Sequence, residues 1–142
     1  MSTEWKHASW VSTLGKWAWV LIIINSIIDI IWGLIIIIPL AVLPYGYLLM
    51  GYGIWLLLGG IINALIAFFI ILPKFSKKCS ERDWDSLLNW VLPIGSLRFP
   101  WMLLWGIILE IFGYGWGGLP VLIPAIFLLF TGPKRYEWSS QK

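Results

Sequence analysis

The sequence predicts an all-α polytopic membrane protein, a bundle of four transmembrane helices with short interfacial helices. Two observations predict this class. Of the 142 residues, 60% are hydrophobic and only 12% are charged, and long apolar runs separate the basic residues. A soluble domain has roughly a quarter of its residues charged, so most of this surface is expected to face lipid. Residues 1–142 are therefore predicted to form a single membrane domain.

The basic residues predict the orientation in the membrane. Nine of the ten lie in three stretches, namely Lys6 and Lys16, then Lys74, Lys77, Lys78 and Arg82, then Lys134, Arg135 and Lys142. Loops rich in Lys and Arg stay cytoplasmic. The connections around Pro44 and Gly115 contain no basic residue. We therefore predict a multi-pass protein of the cell membrane with both termini in the cytoplasm and an even number of spans between neighbouring stretches.

The first half is predicted to contain an interfacial segment and two spans. Residues 4–16 are polar, and Trp10, Leu14 and Trp17 recur at helical spacing. The segment 4–16 is predicted to be either a short helix that lies in the inner interface or an irregular tail anchored there by its tryptophans. Span one is predicted at 17–39 and span two at 47–72, because each apolar run is long enough to cross a bilayer. Pro39 and Pro73 are expected to end these spans.

The second half is predicted to repeat this order less regularly. Residues 81–94 are predicted to be interfacial, after a helix-capping pattern at 80–83. Span three is predicted at 97–112, with an earlier start near Leu87 left open, and span four at 116–131. Within span four, the segment predicted to be helical is 119–131. It covers only about 20 Å, whereas the hydrocarbon layer is about 30 Å thick. Span four must therefore recruit flanking residues, thin the bilayer or be shielded by a partner.

A shift of 80 positions aligns the two halves of the chain. The segment 27–33 resembles the segment 107–113, and Pro44 meets Pro124. This similarity indicates either a two-fold internal repeat of a membrane hairpin or a chance match between sequences rich in Ile, Leu, Gly and Trp. A true repeat would describe architecture and not activity.

Three ionisable side chains, Asp29, Arg98 and Glu110, fall inside predicted spans. A charge at the centre of a membrane costs at least ~2.5–3.5 kcal/mol, so these residues are functional candidates. Asp29 and Glu110 are expected at similar depth, where two facing carboxyls would share a proton. They would either hydrogen-bond helices together, with Asn25 or Asn63, or handle protons or cations. Arg98 is expected to reach lipid phosphates or to pair within or between subunits.

Small residues predict the faces on which helices pack. Gly53, Gly60, Ala64 and Ala67 recur along span two, and Gly106 lies one turn before Glu110 in span three. In a membrane, small residues let helices approach closely, because lipid provides no hydrophobic driving force between them.

The sequence contains no pattern typical of an enzyme. His7 is the only histidine and Cys79 the only cysteine, so neither a metal site nor a cofactor is expected. No nucleophile-base set or phosphate loop is present. The net charge of +3 is attributed to membrane orientation, and no nucleic-acid partner is expected.

These patterns predict a structural or assembly subunit whose partners are the lipid bilayer and either copies of itself in a homo-oligomer or other membrane subunits. Two alternatives remain open. One is a small oligomeric channel or transporter for protons or cations that uses the intramembrane carboxyls. The other is an accessory subunit that holds a lipid or a quinone against its aromatic side chains.

Overall fold

The computed structural model describes residues 5–113 and 115–139. Helices account for 74% of the chain, which confirms the all-α class. The elements are helix α1 (Ala8–Ala41), a 3₁₀ helix (Gly46–Leu49), helix α2 (Gly51–Ser80), helix α3 (Trp84–Asn89), strands β1 (Val91–Ile94) and β2 (Leu97–Pro100), helix α4 (Trp101–Phe112) and helix α5 (Leu119–Thr131).

Helix α1 is continuous over 34 residues. The predicted interfacial segment 4–16, from Ala8 onward, and the predicted span 17–39 are therefore parts of one helix; residue 4 lies outside the described residues. The reason is a buried stripe that crosses the predicted boundary without a break and includes Gly15, Ala18 and Ile22. Positions seven residues apart share one face of a packed helix, so this stripe holds both parts against the same neighbours. The point along α1 at which the bilayer begins stays a prediction.

Helix α2 continues beyond its predicted end. It consists of an α-helical part, Gly51–Ile66, a π-helical part, Ala67–Ser76, and a final turn, Lys77–Ser80. Span two was predicted at 47–72, but Pro73 lies inside the π-helical part. A proline removes a hydrogen bond and clashes with the carbonyl four residues earlier. The wider turn of a π-helix accommodates such a disruption, so the chain stays helical.

A two-stranded antiparallel hairpin, β1–β2, replaces part of the predicted helical structure. It pairs Val91 with Pro100 and turns at Gly95, whose φ of 62° suits glycine. The predicted interfacial segment 81–94 is therefore helical only in α3, and the span predicted at 97–112 begins as a helix at Trp101. Prolines at the start and end of the hairpin region disfavour a helix that continues through it.

The four longer helices form a ring. Helix α1 packs on α2 and α5, α2 packs on α4, and α4 packs on α5. Helices α1 and α4 consequently occupy opposite corners. Helices α1 and α2 pack closely. A Cβ on Gly33 would stand only 2.8 Å from the carbonyl oxygen of Gly53.

The two helical hairpins reach different heights. The connection between α4 and α5 adjoins Asn25 of α1 and Gly59 of α2. Beyond Asn25, α1 rises a further ~24 Å to Ala41. The α4–α5 hairpin therefore covers only the lower part of the α1–α2 pair. Because the two hairpins differ in height, the predicted internal repeat is not confirmed. The predicted span 116–131 is α-helical only from Leu119 onward.

The described residues of the three basic stretches meet at one end of the bundle, which we call the basic end; Lys142 lies outside the described residues. There the indole Nε1 of Trp5 donates a 2.6 Å hydrogen bond to the carbonyl of Thr131, and its ring lies 5.4 Å from that of Trp84. Lys134 forms an ion pair with Asp85. Contacts among the N-terminal, central and C-terminal parts of the chain thus place their cations together.

The outward-facing surface above the basic end is apolar. Large exposed side chains cover both long helices, among them Ile35 on α1 and Phe69 on α2, which is 67% exposed. Within the described residues, α1 and α2 are the helices long and apolar enough to cross a membrane, whereas α4 and α5 are apolar but shorter. Exposure of this kind is unusual in soluble monomers, whose surfaces rarely carry such large apolar patches.

Candidate functional site

Two asparagine side chains meet the tip of the α4–α5 hairpin inside the bundle. We call Asn25, Asn63 and the backbone they approach the polar layer. The amide nitrogen of Asn63 donates a 2.9 Å hydrogen bond to the carbonyl of Leu109. A Cβ on Gly117 would stand 2.9 Å from Oδ1 of Asn25, and one on Gly113 2.8 Å from Nδ2 of Asn63. The two glycines therefore allow the tip to approach both buried amides.

Glu110 stabilises the start of α5. Its Oε2 accepts a 2.9 Å hydrogen bond from the backbone N–H of Gly118, the residue that precedes α5. The first N–H groups of a helix have no partner within the helix and carry partial positive charge. A carboxylate at this position satisfies one of those N–H groups. Glu110 is half-buried beside the connection between α4 and α5.

Asp29 lines a cavity that is open at the side of the α1–α2 pair, one helical turn beyond Asn25. We call this cavity the lateral groove; its volume is about 400 Å³ and it is lined by Asp29, Trp32, Ile36, Tyr52 and Leu56. Asp29 is only 1% exposed, whereas Trp32 and Tyr52 are 55% and 51% exposed. The groove thus combines an acidic side chain in its wall with two accessible aromatic side chains.

The two acidic residues have different surroundings. Asp29 lies in the lateral groove between α1 and α2, and Glu110 binds the N-terminus of α5 from α4. The helices that carry them occupy opposite corners of the ring. The structure therefore gives each carboxyl its own set of neighbours, and a shared site for the two stays a prediction.

The predicted packing residues lie mostly at helix contacts. Gly53 and Gly60 are buried against α1, where a Cβ on Gly60 would stand 2.8 Å from the carbonyl oxygen of Ser26. Ala67 is buried and Ala64 is half-buried on α2. Gly106 faces α5, and a Cβ there would lie 2.6 Å from the side chain of Leu122.

Arg98 does not lie on a membrane helix, which corrects its predicted place in span three. It lies on β2 at the basic end, because the chain becomes helical only after Pro100. Its Nη2 donates a 3.4 Å hydrogen bond to Oδ1 of Asn89, and its guanidinium lies 5.9 Å from the ring of Tyr136. Burial raises the pKa of Tyr136, and the charge of Arg98 offsets part of this effect.

Sequence reasoning missed the lateral groove and the role of the hairpin tip. The sequence analysis did not connect Tyr52 with Asp29, although both line this groove. The spacing of Asp29, Trp32 and Ile36 along one face of α1 was an available signal. No local pattern indicates that Asn25 approaches Gly117 or that Glu110 approaches Gly118.

The described residues contain no group of three or more His, Cys, Asp or Glu side chains arranged to hold a metal ion. The site is therefore characterised by its polar layer, its lateral groove and the surrounding apolar surface. Comparison with protein-family models, curated proteins and solved structures finds no match for this chain.

Proposed function

We propose that the chain is an integral membrane protein with four membrane-embedded helices, of which α1 and α2 cross the bilayer. In this arrangement the α4–α5 hairpin enters from the cytoplasmic side and returns to it, and both termini are cytoplasmic. The length and apolar surface of α1 and α2 support the crossing. The gathering of the basic stretches at one end supports the orientation, because Lys and Arg favour the cytoplasmic side.

The depth of the hairpin tip follows from helix geometry. Lys16 is exposed at the basic end, and Asn25 at the tip lies ~14 Å farther along α1. This distance is about half of a hydrocarbon layer of about 30 Å. Non-helical backbone at such depth is tolerated only where it is buried in protein. Gly113, Gly117 and Gly118 of the tip are buried. Asn63 and Glu110 bind backbone groups of the hairpin beside them.

Within this arrangement we assign the chain the role of an assembly subunit. The observation that carries this role is the lateral groove, which lies on the part of the α1–α2 pair above the α4–α5 hairpin. Trp32 and Tyr52 present half-exposed aromatic side chains there, with the acidic Asp29 in the wall between them. We propose that a transmembrane helix of a different subunit occupies the groove and packs against these two aromatic side chains.

A second copy of this chain fits the groove less well. Two copies related by an axis normal to the membrane would bring two Asp29 carboxyls to one interface. Desolvation and like charge both disfavour two ionised carboxylates there. Like charge therefore favours a helix of a different subunit over a homo-oligomer through this face.

Site-specific photo-crosslinking in the native membrane tests this role. A photoreactive side chain at Trp32 is expected to give one discrete protein adduct, whose crosslinked peptide comes from a transmembrane helix of a different subunit. Tyr52→Ala should reduce that adduct, because it removes one of the two aromatic side chains against which the helix packs. A photoreactive side chain at Phe69, exposed elsewhere on α2, is the matched control and should label lipid. Adducts to lipid alone, or to a second copy of this chain, would reject the proposal.

Ion or proton handling has less support, because Glu110 is engaged with the N-terminus of α5. Flux through protein in liposomes that is lost in Asp29→Asn would favour it. A lipid or quinone adduct that is specific to Trp32 and dependent on Asp29 would instead favour the accessory role. No catalytic role is proposed.

A further inference from the structure

A polar cleft at the basic end lies between α3, β2 and the segment 134–137. We call it the headgroup cleft; its volume is about 170 Å³. Arg98, Lys134 and Arg135 contribute three cations to its lining, and Asp85 and Glu137 contribute two carboxylates. Because Lys134 is ion-paired with Asp85, the remaining charges are two guanidinium groups and one carboxylate. The cleft therefore favours an anion.

The fold holds Arg98 in place from both its backbone and its side chain. Its backbone N–H donates a 2.7 Å hydrogen bond to the carbonyl of Trp138, and its own carbonyl accepts a 2.6 Å hydrogen bond from the hydroxyl of Tyr136. The bond to Asn89 uses one of the five N–H donors of the guanidinium. A guanidinium fixed in this way suits the oxygens of a phosphate group.

A second cavity of mixed polarity adjoins the headgroup cleft. The two cavities share Lys134, Arg135 and Tyr136, and the second has a volume of about 500 Å³. Its lining also includes the apolar side chains of Leu129, Phe130 and Trp138. Phe130 is 66% exposed and its ring lies 6.0 Å from that of Trp138. Cationic side chains that adjoin exposed apolar ones match a molecule with an anionic head and a hydrocarbon tail.

We propose that this region binds one anionic phospholipid, with its phosphate in the headgroup cleft near Arg98 and Arg135 and an acyl chain along Phe130 and Trp138. The site requires the membrane embedding proposed above, but it is independent of the assembly role and of the lateral groove. It would tie the base of the α4–α5 hairpin to the cytoplasmic leaflet, whose anionic lipids attract basic segments.

Native mass spectrometry of the full chain in mild detergent tests the site, with phosphatidylglycerol and phosphatidylcholine as probes. The wild type is expected to retain one phosphatidylglycerol in preference to phosphatidylcholine. Arg135→Gln, at an exposed position, should weaken this binding about tenfold, or about 1.4 kcal/mol, since a charged hydrogen-bond donor to the phosphate is lost. Phe130→Ala should weaken phosphatidylglycerol without changing the binding of inorganic phosphate.

The double variant Lys6→Gln, Lys77→Gln is the matched control, because it removes two exposed cations at the same end but outside the cleft. Equal loss of binding in this control would show a diffuse charge effect and overturn the site. Unchanged binding in Arg135→Gln would also overturn it. Inorganic phosphate that binds as tightly as phosphatidylglycerol would identify a free-phosphate site and reject the lipid. The lipid site does not depend on the lateral groove. Absence of the photo-crosslinked adduct at Trp32 would reject the assembly role but would not change the expected binding of phosphatidylglycerol.

Discussion

The side-chain amide of Asn63 on α2 donates a 2.9 Å hydrogen bond to the main-chain carbonyl of Leu109 on α4. The same carbonyl accepts a 2.7 Å hydrogen bond from the N–H of Gly113, where α4 ends. One carbonyl thus joins the end of α4 to the neighbouring helix. At the depth proposed for this tip, lipid offers no alternative donor, so the amide of Asn63 has a structural role.

Replacement of Asn63 should loosen the hairpin tip. We expect Asn63→Ala to lower the free energy of unfolding in detergent by about 1–2 kcal/mol, because a buried interhelical hydrogen bond and its packing are lost. Leu65→Ala, exposed on the same helix, is the control and should change it by less than about 0.5 kcal/mol. Equal effects of the two variants would argue against a special role for Asn63.

The close approach of α1 and α2 predicts intolerance of a methyl group at Gly33. The Cβ of Gly33→Ala would lie 2.8 Å from the oxygen of Gly53 and 2.9 Å from the nitrogen of Leu57, both backbone atoms. We expect a loss of about 1–3 kcal/mol, measured by thermal unfolding in detergent. Gly51→Ala, where a Cβ has no neighbour within 4 Å, is the matched control and should be nearly neutral.

Cysteine accessibility distinguishes a re-entrant α4–α5 hairpin from two full spans. In a Cys79→Ala background, Tyr47→Cys in the α1–α2 turn should react with a membrane-impermeant thiol reagent added from outside. Trp116→Cys at the tip should not, because the tip is expected to lie about halfway across the bilayer. Glu81→Cys should react only after the membrane is permeabilised. Labelling of Trp116→Cys from outside at the rate of Tyr47→Cys would support two full spans instead.

The basic end should respond to alkaline pH through Tyr136. Burial raises the pKa of this tyrosine, so the folded state favours the protonated phenol, which donates to the carbonyl of Arg98. The associated stability is fully present below the ordinary pKa of 10.0 and is lost as the pH rises through the raised value. Ultraviolet titration of the wild type should show a late-ionising component that Tyr136→Phe lacks. A titration curve whose late component is unchanged by this variant would contradict the prediction.

Much of the helical structure could be predicted from the sequence, but its connections could not. The apolar runs located α1 and α2, because hydrophobic length and helix geometry are local properties. The helices are nevertheless longer than the predicted spans, since α1 begins at Ala8 and not at residue 17, and α2 ends at Ser80 and not at residue 72. The ends were wrong where tertiary contacts override a local signal. Pro73 did not end α2, since a π-helical stretch accommodates it, and residues 91–100 pair as strands instead of extending span three.

The residues of the candidate site could likewise be predicted from the sequence, but their partners could not. The sequence identified Asn25, Asp29, Asn63 and Glu110 as polar residues in an apolar setting, because their cost in lipid depends on residue type alone. It did not indicate that Asn63 would bind the carbonyl of Leu109, which lies 46 positions away. Nor did it indicate that Arg98 would lie on a strand beside the C-terminal segment.

The sequence by itself determined the helical class, the two long apolar helices and the clustering of the basic residues, since hydrophobicity and helical periodicity are carried by neighbouring positions. Only the tertiary structure decided how far the α4–α5 hairpin rises along α1, which backbone groups meet the asparagines, and that Asp29 opens onto a groove. These features depend on the relative height of helices distant in the chain. That height is set by the packing of small residues such as Gly117 against the side chain of Asn25 and Gly59 against the carbonyl of Phe112, which local sequence does not specify.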